Sequence, residues 1–260
     1  MIGNSRKTLV RITRKAALMA SFCALASTPL GCPEDLCSLV RALPGGPDDP
    51  SGGEPTHLAV GDSITASNKD VCQSLACHAG IALGVHVQNN AIGGTRLSSD
   101  GDDPDDIPNQ YEPGHPWEWV IVTGGGNDMR GECGCSVEGH DPAVCEQKLD
   151  ELADPASGTG DMFDLIDLVQ ADGARVAIVG YYQFPDDSMG NFDGCNVYGG
   201  QLNERYREIA DADPDVTFVE TAAAIDFDTH PEYFLWDHVH PSAEGSLVIG
   251  NLVAAAIASP

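Results

Sequence analysis

Stretches that suit a strand alternate with stretches that suit a helix along most of this 260-residue chain, and no other feature limits its fold as tightly. Strand-like apolar runs lie near 57–60, 85–92, 118–123, 175–182 and 215–220; helical stretches lie near 68–83, 142–153, 161–172, 197–211 and 241–257. Parallel strands need long crossover connections, usually helical. The β-then-α order therefore predicts an α/β fold, a three-layer α/β/α sandwich around a central, mostly parallel five-stranded sheet. The 161–172 stretch shows the apolar spacing of a one-sided helix, at Met162, Leu165, Ile166 and Val169. No internal repeat is visible, and residues 57–260 suffice for one domain with an ordinary core.

Four loops in this pattern carry chemistry. Gly61-Asp62-Ser63-Ile64-Thr65 follows the first strand-like run. Asn89-Asn90-Ala91-Ile92-Gly93-Gly94-Thr95 ends the second, and Gly124-Gly125-Gly126-Asn127-Asp128 ends the third. Asp237-His238-Val239-His240-Pro241 precedes the last helical stretch. Ligand sites of open α/β sheets gather at the carboxyl ends of strands, so these loops are expected to converge on one crevice. A serine hydroxyl near an imidazole that has its own carboxylate is the apparatus that makes serine a nucleophile at neutral pH. Of the eight histidines, only His240 has an aspartate three residues before it.

At these residues the chain resembles the SGNH (GDSL-type) hydrolase family over about residues 57 to 258. GDSIT matches the GDSL block, with Ile64 in place of Leu; Asn89 to Gly94 looks like the glycine block, GGND at 125–128 the asparagine block, and Asp237-x-x-His240-Pro241 the terminal block. The resemblance implies a flavodoxin-like sheet and an esterase working through an acyl-enzyme. Carried over by position, it implies Ser63 as nucleophile, His240 as base and Asp237 as its partner, with Ser63, Gly94 and Asn127 as oxyanion donors and no cofactor. Gly93 and Gly94 are adjacent, and gapless counting from Asn89 favours Gly94. The α/β-hydrolase elbow is disfavoured, because it needs Gly-x-Ser-x-Gly and position 65 is Thr.

Each block also has a plain structural reading. GDSIT could be a strand end plus helix N-cap, GGGND a turn, and DHVHP a loop of solvated histidines. Their occurrence together, in order, favours the chemical reading. His238 and His240 form an H-x-H pair, but no third ligand stands at motif spacing, so no metal site is expected. The acidic stretch Asp100 to Asp106 does not follow EF-hand spacing and reads as a solvated loop.

The first 26 residues hold five of the thirteen basic residues, none of the forty acidic ones, and the apolar run Ala16–Ala26. That is a secretory signal peptide, too short and too polar afterwards to span a membrane. Ala24-Leu25-Ala26 offers a cleavage site; Leu30-Gly31-Cys32 partly resembles a lipobox, with Pro29 where that pattern usually has Leu. Residues 27–56, rich in Pro, Gly and Asp, read as a linker. The expected location is secreted or in the cell envelope. Cleavage after Ala26 removes Cys23 and leaves eight of nine cysteines, an even count that suits disulfides in an exported chain. Cys32 with Cys37 and Cys72 with Cys77 are close enough to pair locally, while Cys133, Cys135, Cys145 and Cys195 could staple loops around the site; sequence does not choose among connectivities. The net charge of −27 disfavours nucleic acid and anionic lipid as partners.

Loops 130–141 and 183–196 are the expected specificity elements. Tyr181, Tyr182, Phe184, Trp117 and Trp236 are candidates for an aromatic wall. With no long apolar lid, short acyl esters, including O-acetyl groups on carbohydrate, are favoured as substrates of a monomer. The rival reading is a noncatalytic, disulfide-stapled module that binds glycan or divalent cation through acidic loops. Fluorophosphonate labelling of Ser63 separates the two.

Overall fold

The computed structural model of the chain describes residues 53–98 and 104–258. The expected signal peptide, most of the expected linker, Cys32, Cys37 and Asp100–Asp103 lie outside the described residues. Strand β1 (His57–Gly61) leads into a short helix α1 (Ser63–Ala66), then α2 (Leu75–Leu83) and β2 (Val87–Asn89). Strand β3 (Trp119–Thr123) is followed by the short α3 (Gly126–Asp128), a π-helical turn (Met129–Cys133), α4 (Pro142–Leu152) and α5 (Asp161–Ala171). The rest is β4 (Arg175–Val179), α6 (Asn196–Ala212), β5 (Val216–Val219) and α7 (Ala243–Ala258).

The five strands form one sheet in the order β2-β1-β3-β4-β5, parallel throughout. Every residue of β1 and β3 is buried, as expected of central parallel strands covered on both faces. Helices α2 and α7 pack together on one face; α5 lies on β4, α6 on β5, and α4 on both helices at the other. The α2–α7 contact is so close that a Cβ at Gly250 would stand 2.6 Å from the Leu75 carbonyl oxygen and from His78 Cβ. This is the expected α/β/α sandwich with a flavodoxin-like strand order.

Three boundaries differ from the expected runs, and side-chain or backbone contacts near each accompany the change. Strand β2 stops at Asn89, whose Oδ1 accepts from the Ala91 N–H (3.0 Å) and whose Nδ2 donates to the Thr65 carbonyl (3.1 Å). Strand β4 stops at Val179 because both backbone groups of Tyr181 bind the side chain of Asn203 (2.8 and 2.7 Å). The 68–83 stretch splits at Cys72, which has a left-handed backbone, and α2 restarts under an N-cap at Ser74.

Among the described residues, three disulfides join Cys72 to Cys77, Cys133 to Cys145 and Cys135 to Cys195. The first is local. The other two tie the 130–141 segment to α4 and to the start of α6.

The end of β1 leaves no room for a side chain at Gly61, where φ is +148° and a Cβ would stand 2.6 Å from the Thr123 carbonyl oxygen. Gly61→Ala combines that clash with a backbone region L-residues avoid, and is expected to cost on the order of 3 kcal/mol. The urea midpoint should fall accordingly, and an unchanged midpoint would refute this account of the β1–β3 contact.

Candidate active site

Ser63 opens α1 at the carboxyl end of β1. Asp62 caps that helix, its Oδ1 accepting from the Ile64 N–H at 2.9 Å. The other Asp62 oxygen accepts from the Tyr181 hydroxyl at 2.6 Å. Burial pushes the Asp62 carboxyl up to about 6, against the opposing hydrogen bonds from Tyr181 and Ile64 and the nearby charge of His240.

The loop after β2 lies beside the serine. A Cβ at Gly93 would stand 3.5 Å from Ser63 Cβ, whereas Gly94 has φ +85° and faces open space. The loop after β3 holds this segment in place. Asn127 Nδ2 donates to the Thr95 carbonyl (2.9 Å), and the buried Asp128 accepts from the N–H groups of Leu97 (2.9 Å) and Ser98 (2.8 Å) and from the Ser98 hydroxyl (2.5 Å). Gln110 completes the clamp, accepting from the Gly61 N–H (2.7 Å) and donating to Thr95 Oγ1 (3.1 Å).

Between β5 and α7 the chain makes a loop pinched by the Phe234–Pro241 bridge. Within it, His240 Nδ1 is 2.7 Å from Asp237 Oδ2, and Asp237 Oδ1 accepts from the backbone N–H groups of both Val239 and His240 at 3.0 Å. Partial burial pushes the Asp237 carboxyl up, but the hydrogen bonds from His240 and the two backbone groups outweigh it, so the net shift is downward. His238, in a left-handed conformation with φ +55°, turns to a different carboxylate, Asp187 (2.8 Å). The histidine loop is moored by Tyr182, whose hydroxyl donates to the Val239 carbonyl (2.7 Å), and by Asn68, which follows α1 and donates to the Pro241 carbonyl (3.0 Å).

Ser63, Asn127 and Val239 line one cavity of about 30 Å³ that is partly open to solvent. Ile64, Met129, Tyr182, Phe184, Phe192 and Leu202 supply its apolar wall. Tyr181, Tyr182 and Phe184 thus stand where an aromatic wall is expected. Trp117 does not: it is buried just before β3, at the opposite end of the sheet, its indole N–H on the Glu112 carbonyl (3.1 Å). Trp236 is 78% exposed and lies outside the lining. Of the two loops expected to set specificity, 183–196 lines the cavity directly, while 130–141 reaches it through the bond from Cys135 to Cys195. The roles of Gln110, Asp128 and Tyr181 as tethers carry no sequence signal, because their partners lie tens of residues away.

A carboxyl raised by burial binds a proton more tightly folded than unfolded, so its contribution to stability declines as pH rises between about 4, the unfolded value, and about 6. Asp161 is raised to about 6 as well, mainly by burial, and shares that window. Asp62→Asn should therefore gain stability relative to wild type as pH goes from 4 to 7, leaving the Asp161 share behind. Urea midpoints at both pH values test this, and a difference that does not change with pH would contradict it.

A sequence profile of the GDSL-like lipase/acylhydrolase family matches residues 59–247. No curated protein matches the chain in sequence. Among solved structures, it is similar to a member of the lipolytic G-D-S-L family from Veillonella parvula (14% identity, 78% of this chain and 98% of that one, TM-score 0.55). It is likewise similar to an acetylxylan esterase from Geobacillus stearothermophilus (20%, 78% and 93%, TM-score 0.53) and to a lipase from a goat rumen metagenome (19%, 78% and 97%, TM-score 0.54). With the sheet order and the matched span, these findings establish that the chain belongs to the GDSL-like lipase/acylhydrolase family, the SGNH hydrolases, and is an ester-hydrolysing enzyme.

Proposed function

We propose that this enzyme is an exported serine esterase, working as a monomer through an acyl-enzyme formed on Ser63, with His240 as general base and Asp237 orienting it. The observation that carries this reading is the 2.7 Å Asp237–His240 contact, on a loop whose Val239 shares a cavity wall with Ser63 and Asn127. Asp237 occupies Nδ1 and so leaves Nε2 to take the serine proton. Ser63 Oγ attacks the ester carbonyl carbon while that proton passes to His240. The tetrahedral intermediate collapses, and the alcohol leaves with the proton from His240. Water, deprotonated by His240, then attacks the acyl-enzyme, releasing the acid and restoring Ser63.

Three donors would meet the developing oxyanion: the backbone N–H groups of Ser63 and Gly94 and the side-chain amide of Asn127. An amide nitrogen carries two N–H bonds. In Asn127 one is held by the Thr95 carbonyl, which orients the group and leaves the other for substrate. Losing one such donor costs about 3–4 kcal/mol in comparable enzymes, which makes these contacts central to rate.

The cavity size favours short acyl groups. One water needs about 10–15 Å³ on the same scale, so 30 Å³ admits an acetyl group more readily than a long chain. Carbohydrate O-acetyl esters fit this description, as does an extracellular setting for a chain that begins with a basic, then apolar leader. The proposed domain plan is a leader over 1–26, a linker over 27–56 and the hydrolase domain over 57–260.

A fluorophosphonate probe should label wild type at Ser63 and fail on Ser63→Ala, and Ser63→Ala and His240→Ala should each lower kcat by at least about 10³-fold. Across p-nitrophenyl esters from acetyl to palmitoyl, kcat/KM should peak at the short end and ignore EDTA. Labelling at another serine would displace the triad assignment; a palmitoyl optimum would displace the substrate class.

A further inference from the structure

The nucleophile and the side-chain oxyanion donor follow different strands, Ser63 after β1 and Asn127 after β3. Strands β1 and β3 pair in register as far as Gly61 and Thr123, and one more backbone bond, from the Asp62 N–H to the Thr123 carbonyl (3.2 Å), closes the ladder. Past that point the two loops diverge, and Ser63 and Asn127 lie beyond it. Their separation must be set by something other than the sheet.

One hydroxyl spans the gap. Tyr181 Oη donates to Asp62 Oδ2 at 2.6 Å and accepts from the Gly126 N–H at 2.9 Å. Asp62 directly precedes Ser63, and Gly126 directly precedes Asn127. Tyr181 is 5% exposed and Asp62 3%, so the bond between them is buried, while Gly126 is half-buried at the cavity wall. A phenol suits the position because it both donates and accepts, while its partners are an acceptor-only carboxylate and a donor-only N–H. The ring is itself fixed: Asn203 binds both backbone groups of Tyr181, and a Cβ at Gly126 would touch the ring at 3.0 Å.

We propose that Tyr181 is a positioning residue, its hydroxyl setting the distance and orientation between Ser63 and the Asn127 amide from the loop that follows a third strand, β4. This rests on the reading of Asn127 as an oxyanion donor. Tyr181 touches no reacting atom; it acts through the residues on either side of it. A second tie between the same strand ends, from Thr65 Oγ1 to Thr123 Oγ1 (2.6 Å), holds α1 to β3 independently. Removing the Tyr181 hydroxyl therefore leaves the loops joined and releases their relative orientation.

The test is a double-mutant cycle on kcat with the acetyl ester. Asn127→Ala should lower kcat by about 10²–10³-fold, the loss seen when one oxyanion donor is removed. Tyr181→Phe should lower it by about tenfold or more with KM within about twofold, since a 1 Å misplacement can cost about 10²-fold. In the Asn127→Ala background, Tyr181→Phe should cost less than about twofold further, because two changes acting through one contact do not add. An unchanged kcat in Tyr181→Phe, or the full penalty repeated in the Asn127→Ala background, would overturn the proposal while leaving the oxyanion reading intact. An unchanged kcat in Asn127→Ala would remove that reading, and this inference with it. Should Tyr181→Phe not fold, Asp62→Ser keeps an N-cap oxygen for the Ile64 N–H but loses the one that meets Tyr181, and it enters the same cycle, with the same coupling to Asn127→Ala expected and additivity counting against the proposal.

Discussion

Everything at the site depends on β1 and β3 being hydrogen-bonded neighbours although the chain between them travels out through β2. Chain leaving β1 turns one way and chain leaving β3 turns the other, so the two loops part and a crevice opens where the strands end. Neither strand could occupy its place without an apolar sequence on both faces, which HLAV and WVIV provide. The absence of a side chain at Gly61 lets the two strands run side by side to their last residue. Strand pairing and sheet packing thus deliver Ser63 and Asn127 to the same rim.

Polar contacts then fix what packing only brings near. The loop carrying Gly93 and Gly94 has no regular structure, and a loop would ordinarily wander. Here a buried carboxylate, Asp128, binds two backbone N–H groups and a hydroxyl of that loop, while Asn127 and Gln110 bind Thr95. Hydrogen bonds to a charged group are worth about 1.5–3 kcal/mol each, and a buried donor left unpaired costs a similar amount. The GGND block therefore has two duties in adjacent residues, Asn127 facing the crevice and Asp128 facing the loop that forms its other side. The histidine loop is built on the same plan, with Asp237 binding its own backbone as well as the ring of His240.

How much of this is legible in the amino-acid order follows from the range of each interaction. Strands and helices were readable because hydrophobic periodicity is local; β1, β3 and α5 fall within a residue or so of their apolar runs. Strand ends were less so, since Asn203 stops β4 at Val179 from across the fold and nothing near Val179 announces it. The Asp237–His240 contact spans three residues and could be anticipated, whereas Tyr181 meets Asp62 over 119 residues and Gln110 meets Gly61 over 49. Trp117 shows the converse error: an aromatic residue looks the same in a sequence whether it walls a crevice or fills the far end of a sheet. Cysteine count pointed to disulfides around the site but not to their partners.

The bond between Cys135 and Cys195 closes a loop of 60 residues, and Cys195 is part of the cavity wall. Cross-linking a span of that length removes unfolded-chain freedom worth about 4 kcal/mol on a chain-entropy account. Thiol–disulfide poise therefore acts on two properties through one covalent link. Protein matured under reducing conditions would lose conformational reserve and the shape of its acyl-facing surface together, so the compartment in which this chain ripens helps decide what it can hydrolyse.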